Sequence, residues 1–219
     1  MSDGRRPLAG RAWIVLAAAA LLAACAGTKV APGSAPEGES AADASETSVT
    51  AKGVSVIDAP AGAVTFAFAG DVHFEGEIRN ALDADPAGVM ADIAPSLSGA
   101  DLAMVNLETA ITEGGTPEPK TYTFRAPSTA FDALRAAGVD VVSMANNHGM
   151  DFGPVGLADS LAASDASGFP VIGVGNNADE AYAPFETEVN GQRIAIVAAT
   201  DVLDSNLISR WTATDTQPG

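Results

Sequence analysis

Apolar runs of strand length recur along residues 63–200, with helical patterns and short turns between them. The runs are AVTFAFAG (63–70), DLAMVNLE (101–108), VDVVSMAN (139–146) and PVIGVG (170–175). Apolar residues stand at successive positions in each run, which is typical of strands covered on both faces. The pattern therefore predicts a buried, largely parallel sheet.

Three segments between these strands have the spacing of helices. The first, PAGVMADIAPSLSGA (86–100), contains Pro95 as a predicted break. The second, PSTAFDALRAAG (127–138), begins with proline and serine and stops at Gly138. The third is GPVGLADSLAASDASG (153–168). Strands and helices in this alternation predict an α/β fold of one domain.

The last part of the chain predicts a short helix and a hairpin. NADEAYA (177–183) begins like a helix, and FETEVNGQRIAIVAAT (185–200) predicts a hairpin because Asn190-Gly191 suits a type I′ turn. The final segment, 209–219, shows no clear element. A strong strand at this point is ordinarily followed by further layers, so we expect the sequence to be the first half of a longer domain.

The N-terminus has the pattern of a bacterial lipoprotein signal peptide. Arg5, Arg6 and Arg11 precede an apolar run at 12–24, whose 13 residues are too few to span a bilayer. Small residues before Cys25 resemble a lipobox, in which the cysteine is lipidated. The alternative is an ordinary cleaved signal with an incidental cysteine. A lipid on Cys25 predicts anchoring at the extracytoplasmic face of the cell membrane.

The segment after Cys25 is Ala, Gly, Ser, Thr, Pro and Glu with almost no large apolar side chains. Such a segment cannot bury enough surface to offset its ordering entropy. We therefore divide the chain into a lipoprotein signal peptide (1–24), a disordered tether (25–62) and a folded domain (63–219).

Composition narrows the classes of partner and site. The formal net charge of −17 argues against nucleic acid as a partner, because a nucleic-acid site needs a basic footprint. Cys25 is the only cysteine in the sequence, which excludes an internal disulfide and any thiolate metal cluster.

Polar side chains follow three of the predicted strands at their carboxyl ends, where open α/β sheets form their sites. Asp71 and His73 stand two residues apart in an extended stretch, so both point the same way and suit one metal centre. Glu108 can bridge two ions, Asn147 offers a carbonyl oxygen, and His148 can ligate or protonate a leaving group. Oxygen and imidazole ligands suit Mn, Fe, Zn or Mg without choosing among them.

Plainer roles remain open for several of these residues. His73 can be a surface histidine, and Glu108 or Asp151 can satisfy the amide groups at a helix start. Asn146 is expected to be structural, because asparagine tolerates turns and bonds neighbouring backbone. Gly70 is expected to let the backbone turn beside the site.

The motifs GDVH (70–73), NLE (106–108) and ANNHGMDFG (145–153) resemble the bacterial capsule-synthesis CapA proteins. That family is named for poly-γ-glutamate synthesis and is similar to the calcineurin-like metallophosphatases. The resemblance extends from about residue 64 to 200. It implies a sandwich of two mixed sheets flanked by helices, with two divalent metal ions, of which this chain supplies the N-terminal half.

The resemblance also implies roles for individual residues. The implied metal ligands are Asp71 and His73 of a D-x-H motif, the bridging carboxylate Glu108, and Asn147. His148 matches the catalytic histidine of an N-H-D/E motif, and Asp151 would orient it. Metallophosphatases complete the site with later histidines, whereas no histidine follows His148 in this sequence. This departure favours the expectation of a fragment.

Three functions remain as hypotheses. The first is a lipid-anchored CapA-like protein of capsule or poly-γ-glutamate synthesis or export, with a phosphoesterase-like, metal-dependent hydrolase site for a phosphate or acyl substrate. The second is a non-catalytic subunit that binds an anionic polymer beside capsule-synthesis membrane proteins. The third is an inactive gene fragment. Tyr122, Phe124 and Arg125 are placed by sequence on a loop near the site, where Arg125 would meet an anionic substrate.

Overall fold

Strands and helices alternate along the part of the chain that the computed structural model describes, namely residues 14–18 and 62–219. The strands are β1 (Ile14–Ala18), β2 (Phe66–Val72), β3 (Leu102–Leu107), β4 (Ala110–Ile111), β5 (Arg125–Ala126), β6 (Val141–Ser143), β7 (Val171–Ile172), β8 (Phe185–Val189) and β9 (Gln192–Ala198). The helices are α1 (Glu77–Ala84), α2 (Ala94–Leu97), α3 (Ala130–Ala136), α4 (Gly153–Ser167), α5 (Ala178–Ala181) and α6 (Ile208–Trp211). Cys25 and the rest of the predicted leader and tether up to residue 61 lie outside the described residues.

A four-stranded sheet in the order β2-β3-β6-β7 has parallel pairing throughout. A second, mixed sheet has the order β1-β9-β8, and β4 pairs with β5 in a small third sheet. These parallel strands and their connecting helices confirm the predicted α/β fold. β1 lies inside the predicted signal peptide, so cleavage after Ala24 would remove this strand from the mixed sheet.

The parallel sheet separates two apolar cores, which explains why its strands are apolar at successive positions. On β3, Leu102 and Met104 face the mixed sheet, where they join Ile194 and Ile196 of β9. The alternate β3 positions, among them Val105, face the helices. Successive side chains on a strand point to opposite faces, so both faces of β3 must be apolar. The strand ends between these cores are held rigidly.

The helical predictions need two corrections. The segment 86–100 is helical only at α2, and Pro95 is the second residue of that helix rather than its break. A proline in the first helical turn is tolerated because its missing N–H has no helical acceptor there. Helix α1 was not predicted, although Arg79 and Asp83 form an ion pair at helical spacing and Leu82 is fully buried.

The predicted hairpin and the predicted helix stop at Gly138 are confirmed. Asn190 and Gly191 have φ angles of 52° and 77°, as a type I′ turn between β8 and β9 requires. Gly138 follows α3 with a φ angle of 82°. Within the described residues, no helix combines the length and apolar character needed to cross a bilayer.

The backbone requires glycine at position 173 rather than at position 70, where the sequence suggested it. The pairing of β2 with β3 shifts register between Phe68 and Asp71, but a Cβ on Gly70 would meet nothing within 4 Å and its φ angle is not positive, so this irregularity does not require glycine. Gly173, just after β7, has a φ angle of 84°, and a Cβ there would lie 2.5 Å from the Cβ of Ala145. This close approach holds the loop after β6 against β7.

The substitution Gly173→Ala should lower the free energy of unfolding by about 2–4 kcal/mol, because it adds left-handed backbone strain to a steric clash. Gly70→Ala is the matched control and should change stability by less than about 1 kcal/mol. Urea unfolding followed by circular dichroism measures both. Equal effects of the two substitutions would contradict this account of the loop.

Candidate functional site

Polar side chains from β2, β3 and the loop after β6 meet at one edge of the parallel sheet. Asp71 on β2 is in register with Asn106 on β3, and Asn106 is in register with Ser143 on β6. The N–H of Glu108 donates to the carbonyl of Val72 at 2.9 Å and continues the ladder. The residues that follow these three strands therefore lie close together at one edge of the sheet.

A chain of amide side chains ties these strand ends together. Asn106 Nδ2 donates to Asp71 Oδ1 at 2.8 Å, and Asn146 Nδ2 donates to Asn106 Oδ1 at 2.9 Å. Asn146 Oδ1 then accepts the backbone N–H of His148 at 2.9 Å. Asn146 is therefore structural, as expected. Asn106, whose role the sequence analysis missed, aligns the Asp71 carboxylate.

His148 is oriented by Asp151. His148 Nδ1 lies 2.6 Å from Asp151 Oδ2, and the Asp151 side chain is 0% exposed. The N-cap of α4 is Phe152, and no side chain caps it, so Asp151 does not act as the helix cap. An Nδ1–H held by this carboxylate leaves Nε2 as the ring nitrogen with a free lone pair.

Asn147 carries a polar atom without a protein partner. Its Oδ1 is buried and has no hydrogen bond within the described structure. Buried polar atoms are almost always paired, so an unpaired amide oxygen in the turn that carries His148 needs an explanation. A carbonyl oxygen of this kind fits a divalent cation, which supports Asn147 in the ligand set with Asp71, His73 and Glu108.

The charges around Glu108 also fit a cation. Burial raises the pKa of the Glu108 carboxyl above its ordinary value, and the negative charge of Asp71 raises it further. Within residues 62–219, no three His, Cys, Asp or Glu side chains are close enough to hold an ion by themselves. The predicted ligands Asp71, His73, Glu108 and Asn147 therefore lie at one edge of the sheet but are not arranged as a complete ion site.

An aromatic ring separates the two histidines. Phe124 stacks on His73 with ring centroids 4.7 Å apart and on His148 with centroids 4.3 Å apart. Its backbone N–H donates to Asp151 Oδ2 at 2.6 Å. The loop therefore approaches the site, as its position in the sequence suggested. Arg125 next to it places its guanidinium 5.0 Å from the centroid of the Phe152 ring.

The same loop brings a lysine that the sequence analysis missed. Lys120 Nζ donates to Asp151 Oδ1 at 2.9 Å and to the backbone carbonyl of Asn147. Two residues earlier, Glu118 accepts two hydrogen bonds from Arg210 of α6, at 2.6 and 2.8 Å. The loop is thus fastened both to the site and to the C-terminal segment. These partners lie far apart in sequence, so no local pattern could have indicated them.

Comparison with known proteins agrees with these motifs. Residues 65–218 match the model of a family described as bacterial capsule synthesis protein. A probable polyglutamine synthesis accessory protein of Mycobacterium tuberculosis is 32% identical over 120 residues, which are 54% of this chain and 32% of that protein. The capsule biosynthesis protein CapA of Bacillus anthracis is 33% identical over 87 residues, which are 40% of this chain and 20% of that protein. The chain thus matches a third or less of the length of these relatives.

Glu108→Gln should stabilise the metal-free protein at neutral pH. The ordinary glutamate pKa is 4.5, and the folded-state value is raised, so the folded protein holds the proton more tightly than the unfolded chain does. Ionisation of Glu108 therefore costs stability as pH rises from about 4.5 through the folded-state pKa. Glu108→Gln removes that cost.

Urea unfolding in EDTA at several pH values measures this effect. The gap between the variant and wild type should widen with rising pH above 4.5 and close in acid. Glu186→Gln on the exposed side of β8 is the control and should follow wild type. A Glu108→Gln protein that is less stable than wild type at neutral pH would refute the electrostatic account.

Proposed function

Because the chain belongs to the bacterial capsule synthesis protein family, we propose that it acts in the synthesis or export of a poly-γ-glutamate-type capsule polymer. The named relatives support this proposal, since one is called a capsule biosynthesis protein and another a polyglutamine synthesis accessory protein. The protein works at the extracytoplasmic face of the cell membrane, held there by a lipid on Cys25. The lipobox-like sequence before Cys25 supports this location.

Cys25→Ser should release the protein from the membrane, because the lipid is its anchor in this proposal. The measurement is fractionation of cells that express the full-length protein, combined with labelling by a radioactive fatty acid. Wild type should be labelled and sediment with membranes, and the variant should be unlabelled. An unlabelled wild-type protein would exclude the lipid anchor.

The site acts as a metal-dependent hydrolase of phosphate or acyl bonds. The observation that carries this proposal is the buried, unpaired Oδ1 of Asn147, the residue that precedes His148 of the His148–Asp151 pair. Asp71, His73, Glu108 and Asn147 would hold divalent ions, two in number, of Mn, Fe, Zn or Mg. Such ions lower the pKa of a bound water and polarise a substrate oxygen.

His148 is the residue that transfers the proton. Asp151 holds its Nδ1–H, so Nε2 is the nitrogen that exchanges a proton with a substrate oxygen. Protonated at Nε2, His148 would give the proton to the leaving oxygen as a water oxygen bonds to phosphorus or to the acyl carbon and the bond to the leaving oxygen breaks. The buried Asp151 carboxylate accepts the Nδ1–H and keeps the ring in place.

A second candidate function is favoured by the position of Phe124. Its ring stacks on the faces of both His73 and His148 and keeps the two imidazoles apart. A non-catalytic subunit does not need the two imidazoles to act on one substrate. In that case the site is a metal-bound structural element, and the protein binds or guides an anionic polymer beside capsule-synthesis membrane proteins.

Asn147→Ala should weaken Mn²⁺ binding by about 10- to 100-fold in isothermal titration of the full-length protein, because it removes a ligand oxygen. Asn176→Ala is the control, since Asn176 is exposed and bonds Glu180. Unchanged Mn²⁺ affinity in Asn147→Ala would contradict the ligand assignment.

His148→Ala separates the two candidate functions. The hydrolase proposal predicts retained Mn²⁺ binding, loss of hydrolysis of a chromogenic phosphomonoester or acyl ester, and loss of polymer yield in cells. Full polymer yield from a folded, correctly located His148→Ala protein would reject the hydrolase and favour the non-catalytic subunit.

A further inference from the structure

Lys120 is the only lysine among residues 62–219, and its side chain is 6% exposed. Lysine is rarely buried, because removing an ammonium group from water is costly unless it is paired. The single lysine of residues 62–219 therefore lies in the interior, at the candidate site. Replacing a whole buried ion pair by apolar residues is often neutral or stabilising, so an ion pair that is kept in the interior calls for a role beyond stability.

The ammonium donates two hydrogen bonds and forms one further ion pair. Asp151 Oδ1 lies 2.9 Å from Nζ, the carbonyl of Asn147 accepts a second contact, and Asp204 Oδ2 lies at 3.4 Å. The Trp211 ring lies against the same group, with its centroid 5.2 Å from Nζ. Partners on several sides leave the ammonium little freedom to turn.

Two of these three oxygens belong to one turn of the site. Asn147 stands at its start and Asp151 at its end, and His148 lies between them. Asn147 also carries the unpaired Oδ1, and Asp151 holds the His148 ring. One ammonium therefore fixes the backbone that presents the candidate ligand oxygen and the carboxylate that orients the imidazole.

We propose that Lys120 is a positioning residue. By donating hydrogen bonds to both ends of the turn between 147 and 151, it fixes the position of Asn147 relative to His148. This inference rests on the proposed function of the same site. Lys120 touches neither metal nor substrate in this role and acts through its two neighbours in the turn. Phe124, four residues later on the same loop, reaches Asp151 through its own backbone N–H and supports the same arrangement.

The substitution Lys120→Met tests the role, because methionine keeps an apolar chain against Trp211 and removes the ammonium. The first readout is the tautomer of His148 from nitrogen-15 spectra of the metal-free, full-length protein. The sequence has two histidines, so comparison with a His73→Gln protein identifies the His148 signals. Wild type should show the Nδ1–H tautomer alone, and Lys120→Met should show a mixture of the two.

The second readout is Mn²⁺ affinity by isothermal titration, which should fall about 10- to 100-fold in Lys120→Met, as for other residues that orient ligands. The matched control is Asp204→Asn. It removes the Lys120 partner that lies outside the turn and should leave the tautomer and the affinity at wild-type values.

A folded Lys120→Met protein with wild-type tautomer and affinity would overturn the proposal. Loss of cooperative unfolding in Lys120→Met would also overturn it, because Lys120 would then serve folding rather than positioning. If wild type binds no Mn²⁺, the proposed metal site fails, whereas the tautomer comparison still decides on Lys120.

Discussion

The buried carboxylate of Asp151 is the constraint on which the arrangement of the site depends. It is 0% exposed, and it accepts from His148, from the backbone N–H of Phe124 and from Lys120. A buried charge is tolerated only when its lone pairs are satisfied. The three donors come from two separate stretches of chain, so this requirement forces the loop at 112–124 against the turn at 147–151. The position of the loop, the His148 ring and the Phe124 ring all follow from that one carboxylate.

The parallel sheet determines the positions of the site residues that lie at its strand ends. Two apolar cores hold β2, β3 and β6 side by side, and parallel pairing places their carboxyl ends at the same edge. The amides of Asn106 and Asn146 then bond across these ends and fix the Asp71 carboxylate and the His148 backbone. Rigid strands thus set the positions of Asp71 and Glu108, while the loop partners of Asp151 set that of His148. Asn147, whose buried Oδ1 is unpaired, precedes His148 in the turn that follows β6.

The sequence predicted those features that local patterns encode. Apolar runs gave the parallel strands, Asn190-Gly191 gave the hairpin, and the motifs after three strands gave residues that the structure brings to one edge. Helix α1 was missed although Ile78, Ala81 and Leu82 have helical spacing, because the segment is short and Leu82 is its only buried residue in the described structure. Pro95 was misread because a proline is compatible with a helix start as well as with a break.

Contacts between distant segments could not be read from the sequence. Lys120 meets Asp151 across 31 residues, and Glu118 meets Arg210 across 92 residues. Nothing in the residues around Lys120 distinguishes a buried ammonium from an ordinary exposed one. The separation of His73 and His148 by the Phe124 ring could not be predicted either, because it depends on where the Gly- and Pro-rich loop at 112–124 packs against the rest of the domain.

The most direct test of the central claim is anomalous diffraction at the manganese edge from crystals of the protein grown with Mn²⁺. The account predicts an anomalous peak in direct contact with Asn147 Oδ1 and with the Asp71 and Glu108 carboxylates, and an intact His148–Asp151 hydrogen bond beside it. An anomalous peak elsewhere, or no peak while Asn147 Oδ1 bonds a protein donor, would contradict a metal site at this edge of the sheet.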